Sequence, residues 1–490
     1  MRKSHLIILQ TGVSWAATAL LLLMGAWALS LFVWQGLVVL TFPYPLDYGE
    51  GPLLDQAARL ADFRNIYPAD ITEPPYSVSN YPPLFVLLQT PLVWLFSPKL
   101  WFGRAISLAA TIIVLVLITL TLHTLTKDKI ASALGGMLFL TAPYVLRWSY
   151  LSRVDMMGLA LSWGGIYLVV RKPGSRGAVV LAAFLMIAAI FTRQTYALAA
   201  PLAAFVWLLS QQQQRQALTL AVTIGGTCLG LLAILSVLTD GGFFFHTVIA
   251  NMNEFSWEQV AFYIRGYLRL IPMMLAGAAA FLVLGVRSRG ASWWLVSTYL
   301  LGGLATACLI GKVGAYFNYL LELSAALALV SGAFVARCAG HSGVRSVVLL
   351  AAAVQVVIMV QTPQSFYADL QANVISKRDG MKRLQEIVAG SENPVLADKY
   401  MGLLPLNGRR IYIQPFETSQ LAREDKWDQR PFVQSIKRQK FEAIMIFGSG
   451  PLVKERWTAS MLNAIHSNYK PTETIAGTKV YRPRKQGRSR

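Results

Sequence analysis

Residues 82–97 read PPLFVLLQTPLVWLFS, and whether they cross a membrane decides the layout of everything that follows. The run is apolar, but counting it as a span would invert every later loop and put the basic turns outside. Pro91 sits in its middle, where a missing N–H interrupts helical hydrogen bonding. The stretch therefore reads as an interfacial helix broken at Pro91 and lying along the outer leaflet.

On either side of it, eleven apolar runs reach or approach the length that crosses about 30 Å of hydrocarbon. They fall near 15–40, 102–125, 130–146, 156–170, 178–192, 196–210, 217–238, 261–286, 292–311, 316–336 and 344–361. The first is preceded by Arg2 and Lys3 and has no small-residue cleavage site after its long core, so it reads as an uncleaved anchor with a cytoplasmic N-terminus. Alternating from there, the N-terminus and inner turns hold 12 Lys/Arg and a single acid, Asp128, whereas the outer segments hold 10 Lys/Arg and 11 acids over a longer stretch. The short basic turns thus face the cytoplasm. Residues 42–101 become one large outer loop, and an odd number of spans leaves the C-terminal region outside.

The composition agrees. Of 490 residues, 55% are apolar and 14% charged, which excludes an ordinary soluble enzyme. The 44 Lys+Arg against 24 Asp+Glu do not point to nucleic acid, because much of the excess flanks apolar segments instead of collecting on a water-soluble module. Cys228, Cys308 and Cys338 have neither disulfide nor metal-site spacing. The fold class expected is an α-helical polytopic membrane protein of about eleven spans over residues 1–361. Beyond it come an extracytoplasmic α/β domain at 362–481 and a basic tail at 482–490. In that domain β-like runs start at Pro394, Arg410, Ala443 and Thr478, with helical stretches near 366–389, 431–440 and 452–466.

The polar cluster needing explanation is Pro43-Tyr-Pro-Leu-Asp47-Tyr-Gly-Glu50-Gly-Pro-Leu-Leu-Asp55. Asp47 and Glu50, three residues apart, share one face of a turn or helix start. Gly49 and Gly51 would let a bulky ligand approach the backbone. Asp47 would serve either as an N-cap for the amphipathic stretch 50–63 or as a base that takes a proton from a hydroxyl, with the second carboxylate holding the acceptor. Arg153 and Asp155 at the fourth span either pair with each other, with Asp155 capping the helix, or bind substrate. Arg193 is either snorkelling or awaiting an anion. Arg265 and Arg269 share a helical face suited to lipid headgroups or to substrate. Glu322, one turn from Asn318, is a costly intramembrane acid with a pairing or functional role. With Lys312, these residues all fall at the outer edge of the membrane region, whereas a transporter spreads polar residues across the midplane. Such a gathering suits a lipid-phosphate donor held by arginine and an acceptor hydroxyl activated by carboxylate.

In this order and sidedness, the long first loop with Asp47 and Glu50, Tyr81-Pro-Pro83 before the interfacial helix, Arg-x-Asp at the fourth span, Arg-Gln after the fifth and the soluble C-terminal domain resemble the GT-C superfamily of polyprenyl-phosphate-sugar-dependent membrane glycosyltransferases. Protein O-mannosyltransferases and aminoarabinose transferases are among its members. The resemblance implies transfer of a sugar from a polyprenyl-phosphate donor to a hydroxyl of a glycan, lipid or protein acceptor, with inversion, at the outer face of a bacterial inner membrane. Asp47 corresponds best to the family's first-loop acid, with Glu50 beside the acceptor. Because Tyr48-Gly49 separates two acids that are adjacent in several relatives, which of them is the base stays open. Arg153 and Arg193 resemble phosphate-contacting bases; Tyr81, Asp155, Arg265, Arg269, Asn318 and Glu322 complete the substrate-binding candidates. The two acids would suit a hard divalent cation, but no set of three or four ligands accompanies them, so no cofactor is assigned. The C-terminal domain is expected to support the acceptor without carrying catalytic groups. A transporter or flippase of lipid-linked sugars is the alternative.

Overall fold

In the computed structural model, which describes residues 2–288 and 290–484, every one of the eleven apolar runs is helical. The membrane part comprises α1 (Arg2–Thr41), α4 (Trp101–Thr126), α5 (Lys129–Thr141), α7 (Val154–Arg171), α8 (Arg176–Ile190), α9 (Ala199–Ser210), α10 (Gln214–Leu238), α13 (Pro272–Gly285), α14 (Ala291–Cys308), α15 (Leu321–Arg337) and α16 (Ser342–Gly390). Between them lie α2 (Glu50–Ala61), α3 (Leu84–Phe96), α6 (Pro143–Trp148), α11 (Gly242–Thr247) and α12 (Trp257–Leu268). Among the described residues, seven helices are long and apolar enough to cross a membrane, and eight if the bent α12–α13 pair counts as one.

Three expectations need correction. The run 261–286 is not a straight span: α12 and α13 meet at 97°, because Pro272 cannot donate to the preceding turn and starts a new helix at its first position. The run 130–146 likewise divides at Ala142 before Pro143. Conversely, α3 passes through Pro91 unbroken, forgoing one internal hydrogen bond. Its Leu87, Leu88, Trp94 and Leu95 stay exposed, as a helix lying against lipid requires.

The C-terminal region holds α17 (Leu403–Leu406), α18 (Pro415–Arg423), α19 (Arg430–Lys437), α20 (Pro451–Arg456) and α21 (Ala459–Asn468) around a four-stranded sheet. The strands are β1 (Val395–Ala397), β2 (Ala443–Phe447), β3 (Tyr469–Ile475) and β4 (Thr478–Pro483), in the order β1-β2-β4-β3. β1 and β2 are parallel; β4 is antiparallel to both β2 and β3. Ala476 and Gly477, both at positive φ, close the β3–β4 hairpin. β4 includes Arg482 and Pro483, so the tail does not begin at 482, and residues 485–490 lie outside the described ones. The run at Arg410 is no strand of this sheet; Ile413 forms an isolated parallel bridge with Tyr76 of the outer loop.

That bridge belongs to a larger union. Gln414 N donates to Tyr76 O (3.0 Å), Tyr76 N to Tyr412 O (2.9 Å), Val78 N to Gln414 Oε1 (2.9 Å) and Trp427 Nε1 to Ile71 O (2.9 Å). Ile71, Tyr76 and Val78 share one apolar core with Trp427, Phe432 and Phe441. Loop 42–101 and the C-terminal region thus form one layer. α16 joins that layer to the bundle without a break: its 49 residues span about 74 Å at ~1.5 Å per residue.

Candidate active site

Loop 42–101 is anchored by Arg104 of α4, whose five N–H groups are all used. Nε and Nη2 bind the two oxygens of Glu50 at 2.8 and 2.9 Å, Nη1 donates to Val39 O (3.0 Å) and Phe42 O (2.6 Å), and Nη2 to Tyr44 O (2.8 Å). Glu50 also accepts from Leu46 N (2.7 Å) and Ser152 N (3.0 Å). Burial would raise its carboxyl, but Arg104 and the two amides outweigh burial and hold it below the usual range. Glu50 is completely buried and off the cavity wall, so the structure does not place it beside an acceptor. It is the counter-ion that folds loop 42–50 onto α4.

Asp47 is thereby presented at the wall of a cavity of about 460 Å³ between the bundle and the layer that the loop forms with the C-terminal region. It does not cap α2, whose N-cap is Gly49. Its Oδ2 instead accepts from Gly49 N (2.8 Å) and pairs with Arg153 Nη1 (3.2 Å). Arg153 Nη2 reaches Tyr81 Oη at 3.2 Å. Burial pulls the Arg153 guanidinium down, and Tyr81, Asp47 and Asp155 more than offset that, so it stays a cation. The glycines do not open room for a ligand: a Cβ on Gly51 would meet Gly402 N at 2.5 Å, where the soluble layer docks.

Asp155 lies one layer behind the wall and is fully buried. It accepts from Trp148 Nε1 (2.9 Å), Asn318 Nδ2 (2.9 Å) and Arg193 Nη1, while Tyr196 Oη donates to its backbone carbonyl (2.7 Å). It sits inside the first turn of α7 instead of capping it, 3.9 Å from Arg153 Nε. Arg193 is held by Asp155 and its guanidinium stacks over Tyr319 at 4.4 Å, while its Nη2 is buried without a hydrogen-bond acceptor. Tyr81 and Asn318 reach the cavity. Glu322, buried in α15, does not. Arg265 and Arg269 point out from the end of α12 and are exposed, away from the cavity, as lipid-facing anchors would be.

Lys312 also lines the cavity, and much of the rest of the wall comes from residues the sequence did not single out. Arg147 lies over the rings of Tyr316 (5.5 Å) and Phe317 (5.8 Å). Tyr48 donates to Glu417 Oε2 of α18 at 2.6 Å and accepts from Phe416 N. Burial raises the Glu417 carboxyl despite that bond. Lys399 and Arg456 enter from the C-terminal layer, so that layer contributes groups to the cavity. Tyr48 lay inside the quoted cluster; Arg147 follows it by 99 residues and Lys399, Glu417 and Arg456 by more than 350, so none of them leaves a local signal there. Among the described residues no three His, Cys, Asp or Glu side chains gather as a metal site. Asp47 and Glu417 are committed to Arg153 and Tyr48, so the residues present do not fit a protein-built cage.

No family model matches the chain, and no curated protein sequence matches it. Solved structures do. ArnT of Cupriavidus metallidurans in its apo state aligns with a TM-score of 0.63 at 15% identity, over 95% of this chain and 98% of that one. The same protein bound to undecaprenyl phosphate gives 0.62 at 13%, over 93% and 97%. The Archaeoglobus fulgidus oligosaccharyltransferase tethered to an acceptor peptide gives 0.52 at 12%, over 94% of this chain and 74% of that chain. This chain therefore shares the fold of those structures, a helical membrane bundle carrying a small C-terminal sheet domain.

Proposed function

We propose that the chain is a membrane glycosyltransferase that moves a sugar from a polyprenyl-phosphate donor to an acceptor hydroxyl on the extracytoplasmic face. The observation that carries this reading is the Asp47–Arg153 pair, presented at the wall of a cation-rich cavity where the bundle meets the soluble layer. The ArnT structure with undecaprenyl phosphate, on the same fold, supports a lipid-phosphate donor.

Arg153 has two acidic neighbours, Asp47 at 3.2 Å and Asp155 at 3.9 Å. An incoming phosphate takes over the Asp47 side of the guanidinium and releases that carboxylate to act as base. The acceptor oxygen loses its proton to Asp47 and bonds to the anomeric carbon. The bond from that carbon to the phosphate oxygen breaks, and polyprenyl phosphate departs with the electron pair, its charge held by Arg153. One displacement inverts the anomeric centre. The leaving group is acidic enough to need no general acid.

The test is consumption of radiolabelled polyprenyl-phosphate sugars, offered as a panel to the purified protein with a mixed glycan and lipid acceptor extract. Release of polyprenyl phosphate with label in the acceptor is expected from at least one donor. Donors that remain intact across the panel, with a folded protein, would refute the reading.

A further inference from the structure

The cavity holds more positive charge than one lipid phosphate requires. Five cations, Arg147, Arg153, Lys312, Lys399 and Arg456, face the carboxylates of Asp47, Glu417 and, at the exposed rim, Glu455. Asp47 is already matched by Arg153. The surplus is divided between two bodies, because Lys399 and Arg456 belong to the soluble layer.

Resting on the transferase reading above, we infer that Lys399 and Arg456 form a second anion subsite, which holds the carboxylate or phosphate of an acidic saccharide acceptor while Arg153 serves the donor.

Lys399 supplies the first ground. Among the described residues no carboxylate oxygen lies within ion-pair distance of its Nζ. Its ammonium instead lies 4.0 Å from the centre of the Phe447 ring and 5.4 Å from that of Tyr400. A compact, strongly hydrated cation half-buried against ring faces lacks the anion that would compensate its lost water. Burial, reinforced by Lys377 and Arg456, pulls this ammonium down to about 8 against the opposing pull of Asp47 and Asp398.

Arg456 supplies the second. Its Nη1 is buried without a hydrogen-bond acceptor, 3.7 Å from Asp398 Oδ2, and its guanidinium lies over Tyr48 at 5.2 Å. Asp398 cannot satisfy it fully, because that carboxylate also accepts from Phe447 N (3.0 Å), Lys399 N and Trp457 Nε1 (3.4 Å). Those bonds fix the ends of β1 and β2, and so fix both cations in place. Beside them, the Tyr48–Glu417 pair offers a phenol and a carboxylate suited to sugar hydroxyls. Acid-binding and hydroxyl-binding groups side by side select a sugar that carries an acid.

Protection of Lys399 from an amine-modifying reagent tests this in the full-length protein in nanodiscs, read by peptide mass spectrometry. The probes are glucuronate, glucose 6-phosphate, neutral glucose and undecaprenyl phosphate at equal concentration. The acidic sugars should slow modification of Lys399 by about threefold or more, as a charge-assisted contact would, with glucose ineffective. Protection should persist when undecaprenyl phosphate is also present and in Asp47→Asn, and weaken in Arg456→Met but less in Arg456→Lys. Equal protection by glucose, or none by either acid, overturns the subsite. Protection by undecaprenyl phosphate alone assigns Lys399 to the donor and overturns it too. Because the readout needs no turnover, a failed transferase assay with intact protection would count against the reaction and not against the subsite.

Discussion

Gly49 and Arg153 approach so closely that a Cβ on the glycine would lie 1.3 Å from Arg153 Nη1. The glycine is at φ −78° and ψ −8°, a conformation any residue adopts. Its role is therefore space, and the space is occupied by the guanidinium that holds Asp47.

Gly49→Ala should displace Arg153 without unfolding the loop. A lost charge-assisted contact is worth roughly 1.5–3 kcal/mol, so donor affinity should fall about ten- to hundredfold. Titration with undecaprenyl phosphate, beside Arg153→Ala, is the measurement. A Gly49→Ala protein that binds donor like wild type would detach the glycine from the site.

The two acids of the first loop should separate cleanly. Asp47→Asn keeps its shape and should lose about 10²–10⁴ in transfer rate with normal thermal stability. Glu50→Gln leaves Arg104 buried against a neutral partner and should cost about 3–5 kcal/mol of stability. Turnover and thermal midpoints of both purified variants decide it; an Asp47→Asn enzyme within a few-fold of wild type would exclude it as the base.

Two buried groups in the outer layer should make acid stability flat by opposition. His246 is completely buried between Pro68 O and Ser79 N, and burial lowers it to about 4. The folded state thus resists its protonation, and stability falls as pH drops from about 6.5 toward 4, by about 3 kcal/mol in all. Asp55, buried where Ile411 N meets it, is raised by that burial to about 6. The folded state holds its proton more tightly than the unfolded chain, so stability rises over nearly the same window. Thermal midpoints between pH 7 and 4 should then drop in Asp55→Asn, where His246 acts alone, and climb in His246→Gln. Identical slopes in the two variants would contradict both assignments.

Orientation is tested by thiol labelling in a background without Cys228, Cys308 and Cys338. Ser467→Cys, on the exposed side of α21, should react with an impermeant reagent in intact cells or spheroplasts. Ser175→Cys, in the basic turn before α8, should react only after lysis. Labelling of position 175 from outside would invert the membrane topology.

The helices were legible because uninterrupted apolar length is a strong signal. Their breaks were less so: Pro272 and Pro143 were visible, but hydropathy summed across them looks like one span. β3 escaped notice because Lys470, Pro471 and Glu473 obscure its alternation, a pattern tolerated on the edge strand it forms. Asp47, Arg153, Tyr81 and Asn318 line the cavity, and their place at the boundary of apolar segments is the positional signal that singled them out. Glu50 was misread because its partner, Arg104, lies 54 residues on. Spacing from Asp47 carries no information about that partner. Glu417, 369 residues from Tyr48, is beyond any local pattern.

The Val78 backbone N–H donates to the side-chain Oε1 of Gln414, 336 residues later. At a synthesis rate of ~5–20 residues per second, the outer loop leaves the ribosome about 17 to 67 s before that partner exists. Ile71, Tyr76 and Val78 spend the interval without the C-terminal residues they pack against, which leaves the loop open to proteases. Chains arrested before residue 414 should be cut within 62–80 by added protease, and released chains should resist. Equal resistance in arrested chains would mean that the loop finds its cover from the bundle alone.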